Sequence, residues 1–580
     1  MNDKLYFSDV LVFFIYFVIV AGYGLWVYRR KKQTTLSSKD YFLAEGSLTW
    51  WAIGASLIAS NISAEQFIGM SGNGFFVGVA VAAYEWIAAL ALIIIAVWFI
   101  PIYLKNKIYT MPQFLKTRYN ETVALIMAIF WLFLYVFVNL TSILYLGAIA
   151  INGLLPGHAY LHIIIIALAV FAVIITLGGM KVIGYTDVIQ VSVLIIGGIT
   201  TIYIALTVVS EKFGLGKDFM AGFNQLIKDA PEHFKMILAK PDNTTIYTAL
   251  KDGPDSLSQL YLDKYLILPG ILMYAAGQWI VNLNYWGCNQ YITQRALGAD
   301  LKTARTGILF AALLKLFMPI IVMLPGIAAY VLNKNGHLNV VGGMDGAYSA
   351  VLGFLPTGIK GLSIAALTAA IVASLAGKAN SISTLFTLDI YQRYLNKNAD
   401  EKKLVGTGKI VVVIAVLIAV LFTWDDLLGI GGAGGFTFIQ KYTGFISPGV
   451  FAMFLLGMFW KRTTGAAAVA GLVTGLVTCV FFNEFAPQVF GHDTWLYTAY
   501  PTYHTINGAK VLAWEIPFLI AMGLSFLFTL IVMVAVSLGG PRINAKAFTL
   551  DKTMFKLTPN VIALITLILL LLSALYIKFW

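Results

Sequence analysis

The chain is 580 residues long, 59% hydrophobic and only 11% charged, with a mean hydropathy of +0.83. Soluble domains are nearer half apolar and a quarter charged, which argues against a soluble enzyme or a nucleic-acid binder. The net charge is +12, but the basic residues sit in short segments between apolar runs, so the charge is a topology signal.

A bilayer crossing needs roughly 20 mostly apolar residues. In chain order the runs predict about fourteen helices, with cores at 8–28, 50–72, 77–104, 122–150, 161–178, 183–209, 265–287, 306–332, 360–387, 410–424, 427–459, 464–482, 512–537 and 559–578. The first run is followed by Arg29, Arg30, Lys31 and Lys32, the reverse of a signal peptide, so it reads as a retained helix. Placing both termini outside puts 24 Lys and Arg in the cytoplasmic segments against four in the short outer ones (Lys4, Lys334, Lys510 and Lys578). The outer loop 210–264 is polar, holds Pro231, Pro241 and Pro254, and is expected to carry short surface helices. The fold class expected is an all-α polytopic protein with its chain in one transmembrane domain (1–580), multi-pass in the cell (inner) membrane.

Polar groups at membrane depth are costly and mark functional sites. The second run places Asn61, Ser63, Glu65 and Gln66 mid-membrane, as suits an unwound stretch whose free carbonyls can ligate a cation. The seventh carries Asn282, Tyr285 and Asn289 at helical spacing on one face. These two interrupted runs open two five-helix blocks of opposite orientation, the pattern of an inverted repeat. That reading gives an extra helix at 8–28, a first repeat at 50–209, the outer loop, a second repeat at 265–459 and extra helices at 464–580. Tyr84, Glu85 and Trp86 lie in the third run and Lys315 in the eighth. Gln440 follows the run Gly429–Gly435, where the eleventh is expected to bend. A buried lysine needs a carboxylate or several acceptors, and Glu65 and Glu85 are the acids at that depth. Amides, a carboxylate and a lysine beside aromatic rings suit a neutral polyol, and on these grounds alone an amino acid equally.

Enzyme chemistry has no constellation here. His158, His162, His233, His337, His492 and His504 fall in or near outer loops, none in a metal or nucleophile spacing, and no Walker-type phosphate loop occurs. His158 and His162 are four apart but have no acid nearby. Cys288 and Cys479 read as free thiols.

At residues 61–72, Tyr84-Glu85-Trp86, 139–142, 186–190, Tyr285-Trp286-Gly287, 289–292, Gln294-Arg295 and 388–391, the chain resembles the sodium/solute symporter family, in its sodium/glucose branch. The resemblance runs from Tyr41 to Trp580. It implies a five-plus-five inverted repeat with broken helices and inward transport of a monosaccharide of galactose or glucose type, driven by sodium through alternating access. It implies sugar contacts at Asn61, Glu65, Gln66, Glu85, Asn282, Lys315 and Gln440, an inner gate at Tyr285 and an outer gate at Met70, Tyr84 and Phe436. It also implies a sodium site at the carbonyls of Ala59, Ile62 and Ala370 with the Ser374 hydroxyl, and an ion-release carboxylate at Asp187. Three positions depart from the family pattern. Ala88 replaces a serine, Ala373 removes one sodium-site hydroxyl, and Lys378 stands in place of an apolar residue. Lys378 lies one turn from Ser374, where it can touch substrate, pair within the bundle or stand in for the cation. The alternative function is a symporter, or a cation-independent transporter, of a sugar acid, inositol or amino acid.

Overall fold

The computed structural model describes residues 6–31, 37–44, 48–63, 65–152, 160–340, 343–425, 427, 440–441, 443–506 and 509–580, without the side chains of Arg30, Lys31, Lys39, Glu65 and Asp345. Its long helices are α1 (Phe7–Lys31), α2 (Trp50–Asn61), α3 (Ser71–Phe76), α4 (Val79–Lys105), α5 (Glu121–Asn152), α6 (Leu161–Thr176) and α7 (Met180–Lys212) in the first half. The second half has α8 (Leu257–Ala275), α9 (Gly277–Cys288), α10 (Gln290–Leu297), α11 (Leu301–Lys334), α12 (Ile359–Thr384), α13 (Glu401–Thr423), α14 (Ser447–Phe459), α15 (Gly465–Phe490), α16 (Phe518–Leu538) and α17 (Pro559–Phe579). Among the described residues, ten helices are long and apolar enough to cross a membrane, or eleven if α8 and α9 form one bent crossing. The expected runs at 50–72, 161–178 and 427–459 appear as a broken helix and two shorter apolar helices, α6 and α14. The expected bend at Gly429–Gly435 lies outside the described residues.

Local chemistry sets the helix starts. The Asn120 side chain accepts from the Val123 amide, Asp300 from Lys302 and Thr303, and Asp400 from Lys403. Each satisfies amides that a helix start leaves orphaned. Helices α4, α5 and α15 widen internally into π-helical turns at Ile95–Phe99, Leu134–Leu140 and Phe481–Phe485, and α12 runs on into one at Leu385–Leu395.

Burial separates a core from a lipid-facing rim. The most apolar window of the α12 segment is 89% buried and that of α4 78%, against 22% for α1 and 17% for α17. Hence α1 and α17 sit at the periphery. Helix α7 packs along α12, and α11 packs on α2, α3 and α4. Helix α11 runs 34 residues, or about 50 Å, and contains Pro319 and Pro325. It bridges the broken second run by close approach. A Cβ on Gly326 would sit 1.8 Å from the Ser71 carbonyl oxygen, and one on Gly74 2.6 Å from that of Met323.

The polar segment 210–264 carries the expected short helices, Phe219–Asp229, Asn243–Asp252 and Leu257–Ile267, the last running three residues beyond it. One element was not anticipated. The apolar stretch 512–514 reads as the start of a span, but it belongs to a strand, β2 (Ala509–Glu515), paired antiparallel with β1 (Tyr500–Ile506). Pro517 precedes the helix that follows, so the span expected at 512–537 begins at Phe518. A seven-residue strand and a short apolar helix start look alike by composition; pairing decides between them.

The Gly326 contact yields a test. Gly326→Ala is expected to destabilise the protein by about 1–3 kcal/mol through overpacking, read as a lower melting temperature in detergent. An unchanged melting temperature would mean that α11 is not held to the broken helix there.

Candidate functional site

Two helix breaks build the site. Helix α2 ends at Asn61, and Ile62 turns extended (φ −83°, ψ 109°) before the chain re-enters a π-helical turn at Glu65–Met70. Helices α8 and α9 meet at an 81° bend around Ala276, and α9 ends at Cys288, after which Asn289 is again extended (φ −89°, ψ 131°). Each break frees backbone groups and turns side chains inward, which is tolerable at membrane depth only around a cavity.

Between the breaks lies a cavity of about 110 Å³. Its walls bring together Asn61, Gln66, Tyr84, Glu85, Asn282, Tyr285, Lys315, Lys378 and Gln440. Of the expected substrate contacts, Glu65 has its side chain outside the described residues. Of the expected gate residues, Tyr84 lines the cavity, Met70 is fully buried in the π-helical turn behind it, and Phe436 lies outside the described residues. Ala88, the family serine's replacement, also lines the wall.

Polar contacts order this cavity. The Lys315 ammonium donates to the Glu85 carboxylate and to the Asn61 side-chain oxygen. It also lies 5.1 Å from the centre of the Trp286 ring. Asn61 Nδ2 donates in turn to Tyr285 Oη at 3.0 Å. One network therefore joins α2, α4, α9 and α11. The Tyr285 ring stands edge-on to Trp286 and Tyr291, with centroids 5.2 and 5.7 Å apart. Asn282 donates to the Gln278 carbonyl one turn back at 2.9 Å, which leaves its oxygen to accept. Gln66 Oε1 is buried with no hydrogen-bond partner among the described residues. A buried amide oxygen in that state calls for a donor such as a ligand hydroxyl. The Lys378 ammonium sits 4.8 Å over the Tyr291 ring and faces the same space.

Sequence reasoning missed part of the wall. Asn284, Ser447, Thr443, Phe130 and Trp131 also line the cavity; Asn284 Nδ2 donates to Ser447 Oγ at 3.1 Å, and Tyr135 Oη, itself outside the lining, donates to the wall residue Asn289 at 3.2 Å. Asn284 stands two residues from Asn282, a signal within reach; Tyr135 and Trp131 look like ordinary core aromatics in α5.

The expected cation site fits a hard, oxygen-seeking ion. Ala59, Ile62, Ala370 and Ser374 are all buried at the α2 break, where α12 packs on α2. Ser374 Oγ donates to the Ser60 carbonyl at 2.9 Å, leaving its lone pairs for a ligand. Ser60 Oγ and Ser63 Oγ are buried without a partner among the described residues, so the break holds further oxygen donors where Ala373 supplies none. Asp187 lies deeper. It accepts from Ser56 Oγ and sits 3.9 Å from the Arg295 guanidinium, whose Nε donates to Ser56 at 2.7 Å. Both charges are fully buried. Cys288 and Cys479 are free and buried. His162 shares a 3.0 Å hydrogen bond with the Trp424 carbonyl, and His158 lies outside the described residues.

Comparison with known proteins agrees with this architecture. The model of the sodium:solute symporter family matches residues 41–475. A sodium/glucose cotransporter of Vibrio parahaemolyticus is 44% identical over 512 residues, covering 86% of this chain and 89% of that one. A human sodium/myo-inositol cotransporter 2 is 34% identical over 486 residues, covering 81% and 69%. A solved structure of a substrate-bound, outward-open Na+-coupled sialic acid symporter shares the fold. Its TM-score is 0.72 at 19% identity, over 93% of this chain and all of that one.

The buried pair gives a stability test. Glu85→Gln leaves the Lys315 charge uncompensated and is expected to cost about 3–5 kcal/mol. Adding Lys315→Met is expected to recover much of that loss in a thermal melt. A double variant no more stable than the single one would mean the pair is not coupled.

Proposed function

The chain belongs to the sodium:solute symporter family, so it is a sodium-coupled solute transporter rather than an enzyme, and from that premise we propose that it imports a monosaccharide of galactose or glucose type. The single observation that carries this reading is the cavity wall. Asn61, Gln66, Glu85, Asn282, Lys315 and Gln440 surround one space beside the Tyr285 ring. Each sugar hydroxyl both donates and accepts, and this wall offers ammonium and amide donors with carboxylate and amide acceptors. The Tyr285 face offers a stacking surface for a pyranose ring. The name of the 44%-identical Vibrio relative points the same way.

In the proposed cycle, sodium binds at the α2 break among Ala59, Ile62, Ala370 and Ser374. By bridging α2 and α12 it favours the state that receives sugar. The sugar satisfies Gln66 and competes for the Asn61–Tyr285 bond, and Tyr84 with Met70 closes over it. The repeats, which we read at 50–209 and 265–459, rock about this point. Tyr285 then yields and sodium leaves past Asp187. Because each ligand favours the same state, each tightens the other equally. A potential of about 100 mV adds about 2.3 kcal/mol per charge moved, more than about tenfold in accumulation.

A second reading has one observation in its favour. Lys378 adds an ammonium to the cavity wall, which suits a sugar acid, and a 34%-identical relative is named for myo-inositol. Competition by uronic acids and inositol against labelled galactose separates the two.

The deciding experiment is labelled galactose and glucose uptake into proteoliposomes, with an inward sodium gradient against matched potassium. Sodium-driven accumulation is expected, and Gln66→Ala is expected to reduce it by at least about tenfold, the size of a lost buried hydrogen bond, with the melting profile retained. Wild-type uptake in Gln66→Ala would remove Gln66 from the site. Ser374→Ala is expected to raise the sodium concentration for half-maximal uptake severalfold. An unchanged sodium dependence would place the ion elsewhere.

A further inference from the structure

The β1–β2 hairpin has no part in the cycle above, yet it touches both elements that carry the second half of the cavity wall. On one side it grips α8. Gln259 Nε2 donates to the Pro501 carbonyl at 2.9 Å, Thr502 Oγ1 to Asp263 Oδ1 at 3.0 Å, and the rings of Tyr265 and Tyr500 stack edge-on at 5.2 Å. Helix α8 leads into the 81° bend and so into Asn282 and Tyr285. On the other side, Glu515 at the end of β2 places Oε1 3.6 Å from the Lys441 ammonium and 3.0 Å from His504 Nε2. Lys441 is the residue after Gln440, which lines the cavity.

We propose that Glu515 is a positioning residue for substrate binding: it holds Lys441, and with it Gln440, at the cavity wall, and protonation of His504 loosens that hold. The proposal rests on the reading of Gln440 as a substrate contact. Consecutive Cα atoms are about 3.8 Å apart across a rigid peptide, so fixing Lys441 restricts where Gln440 can stand. Lys441 and Glu515 are each roughly a quarter exposed, so the pair is less screened than one on open surface.

The sign follows from the groups around His504. Its charged neighbours are Glu515, Lys441, Glu484 at the end of α15, and Asp263 on α8. The hydrogen bond to Glu515 raises the imidazole above its ordinary value, against burial. Burial would raise the Glu515 carboxyl, but the His504 hydrogen bond and the Lys441 charge outweigh it and hold the carboxyl below its usual range. When His504 is neutral, the Glu515 charge is left to Lys441. When His504 is protonated, it claims that charge and repels Lys441, which has Glu484 3.9 Å away as its other partner. The hold is therefore present above the raised His504 value and is lost as the pH on the hairpin side falls through it.

The test is the KM for labelled galactose in sodium-loaded assays, as a function of pH on the hairpin side. In the wild type, KM is expected to rise about threefold as pH falls from about 8 to about 5.5, across the imidazole range, with Vmax little changed. His504→Gln is expected to abolish the step and keep the low-acid KM. Glu515→Gln is expected to raise KM at every pH. A pH step that survives His504→Gln, or a wild-type KM in Glu515→Gln, would overturn the proposal. If Gln440→Ala leaves KM unchanged, the reading of Gln440 as a contact fails, and the proposal with it. If Gln440→Ala raises KM while Glu515→Gln does not, the proposal alone fails.

Discussion

An ammonium inside an apolar bundle must be compensated, and the position of Lys315 constrains much of this protein. It reaches Glu85 on α4 and Asn61 at the end of α2. Asn61 carries the constraint on to Tyr285 in α9. Four helices are thereby held at one point with their polar groups facing inward. Removing the charge pair and replacing it with apolar residues could leave the bundle stable. It would also erase the donors and acceptors around which a polar ligand can be ordered. The network is thus better understood as a device for specificity than for stability.

The broken helices follow from the same economy. A continuous α2–α3 helix would keep its carbonyls in the i to i−4 ladder. Ending it at Asn61 and resuming through a π-helical turn releases carbonyls beside Ser60, Ser63 and Ser374. The break is kept in place from outside by α11, whose Gly326 allows backbone contact with Ser71. The second break, at the α8–α9 bend, is braced by the hairpin and by Gly277, where a Cβ would lie 2.5 Å from the Leu519 carbonyl. Rigid supports on both sides let a small cavity be defined by a few side chains.

Much of this was legible in the sequence because the bilayer imposes strong rules. Apolar runs of the right length mark helices, and polar residues inside them stand out against a uniform background. Asn61, Gln66, Glu85, Asn282, Lys315 and Gln440 could be singled out for that reason, and all line one cavity. Trp131 and Phe130 could not, because aromatic residues in an apolar helix carry no mark of the face they present. The hairpin was misread for a related reason. Residues 512–514 are apolar enough to begin a span, and only pairing with β1 shows that they are a strand.

The sequence by itself determined that the chain lives in a membrane, where most of its helices run and which polar residues had to be sheltered, since burial of a polar group in lipid is too costly to be accidental. The tertiary structure alone decided which partners shelter them. Lys315 pairs with Glu85 rather than standing at large near two acids, Ser374 meets the α2 break through the Ser60 carbonyl, and Lys378 lies over the Tyr291 ring. These are contacts between residues up to hundreds of positions apart. Spacing along the chain gives a residue's face and depth in its own helix; only packing between helices fixes what it meets.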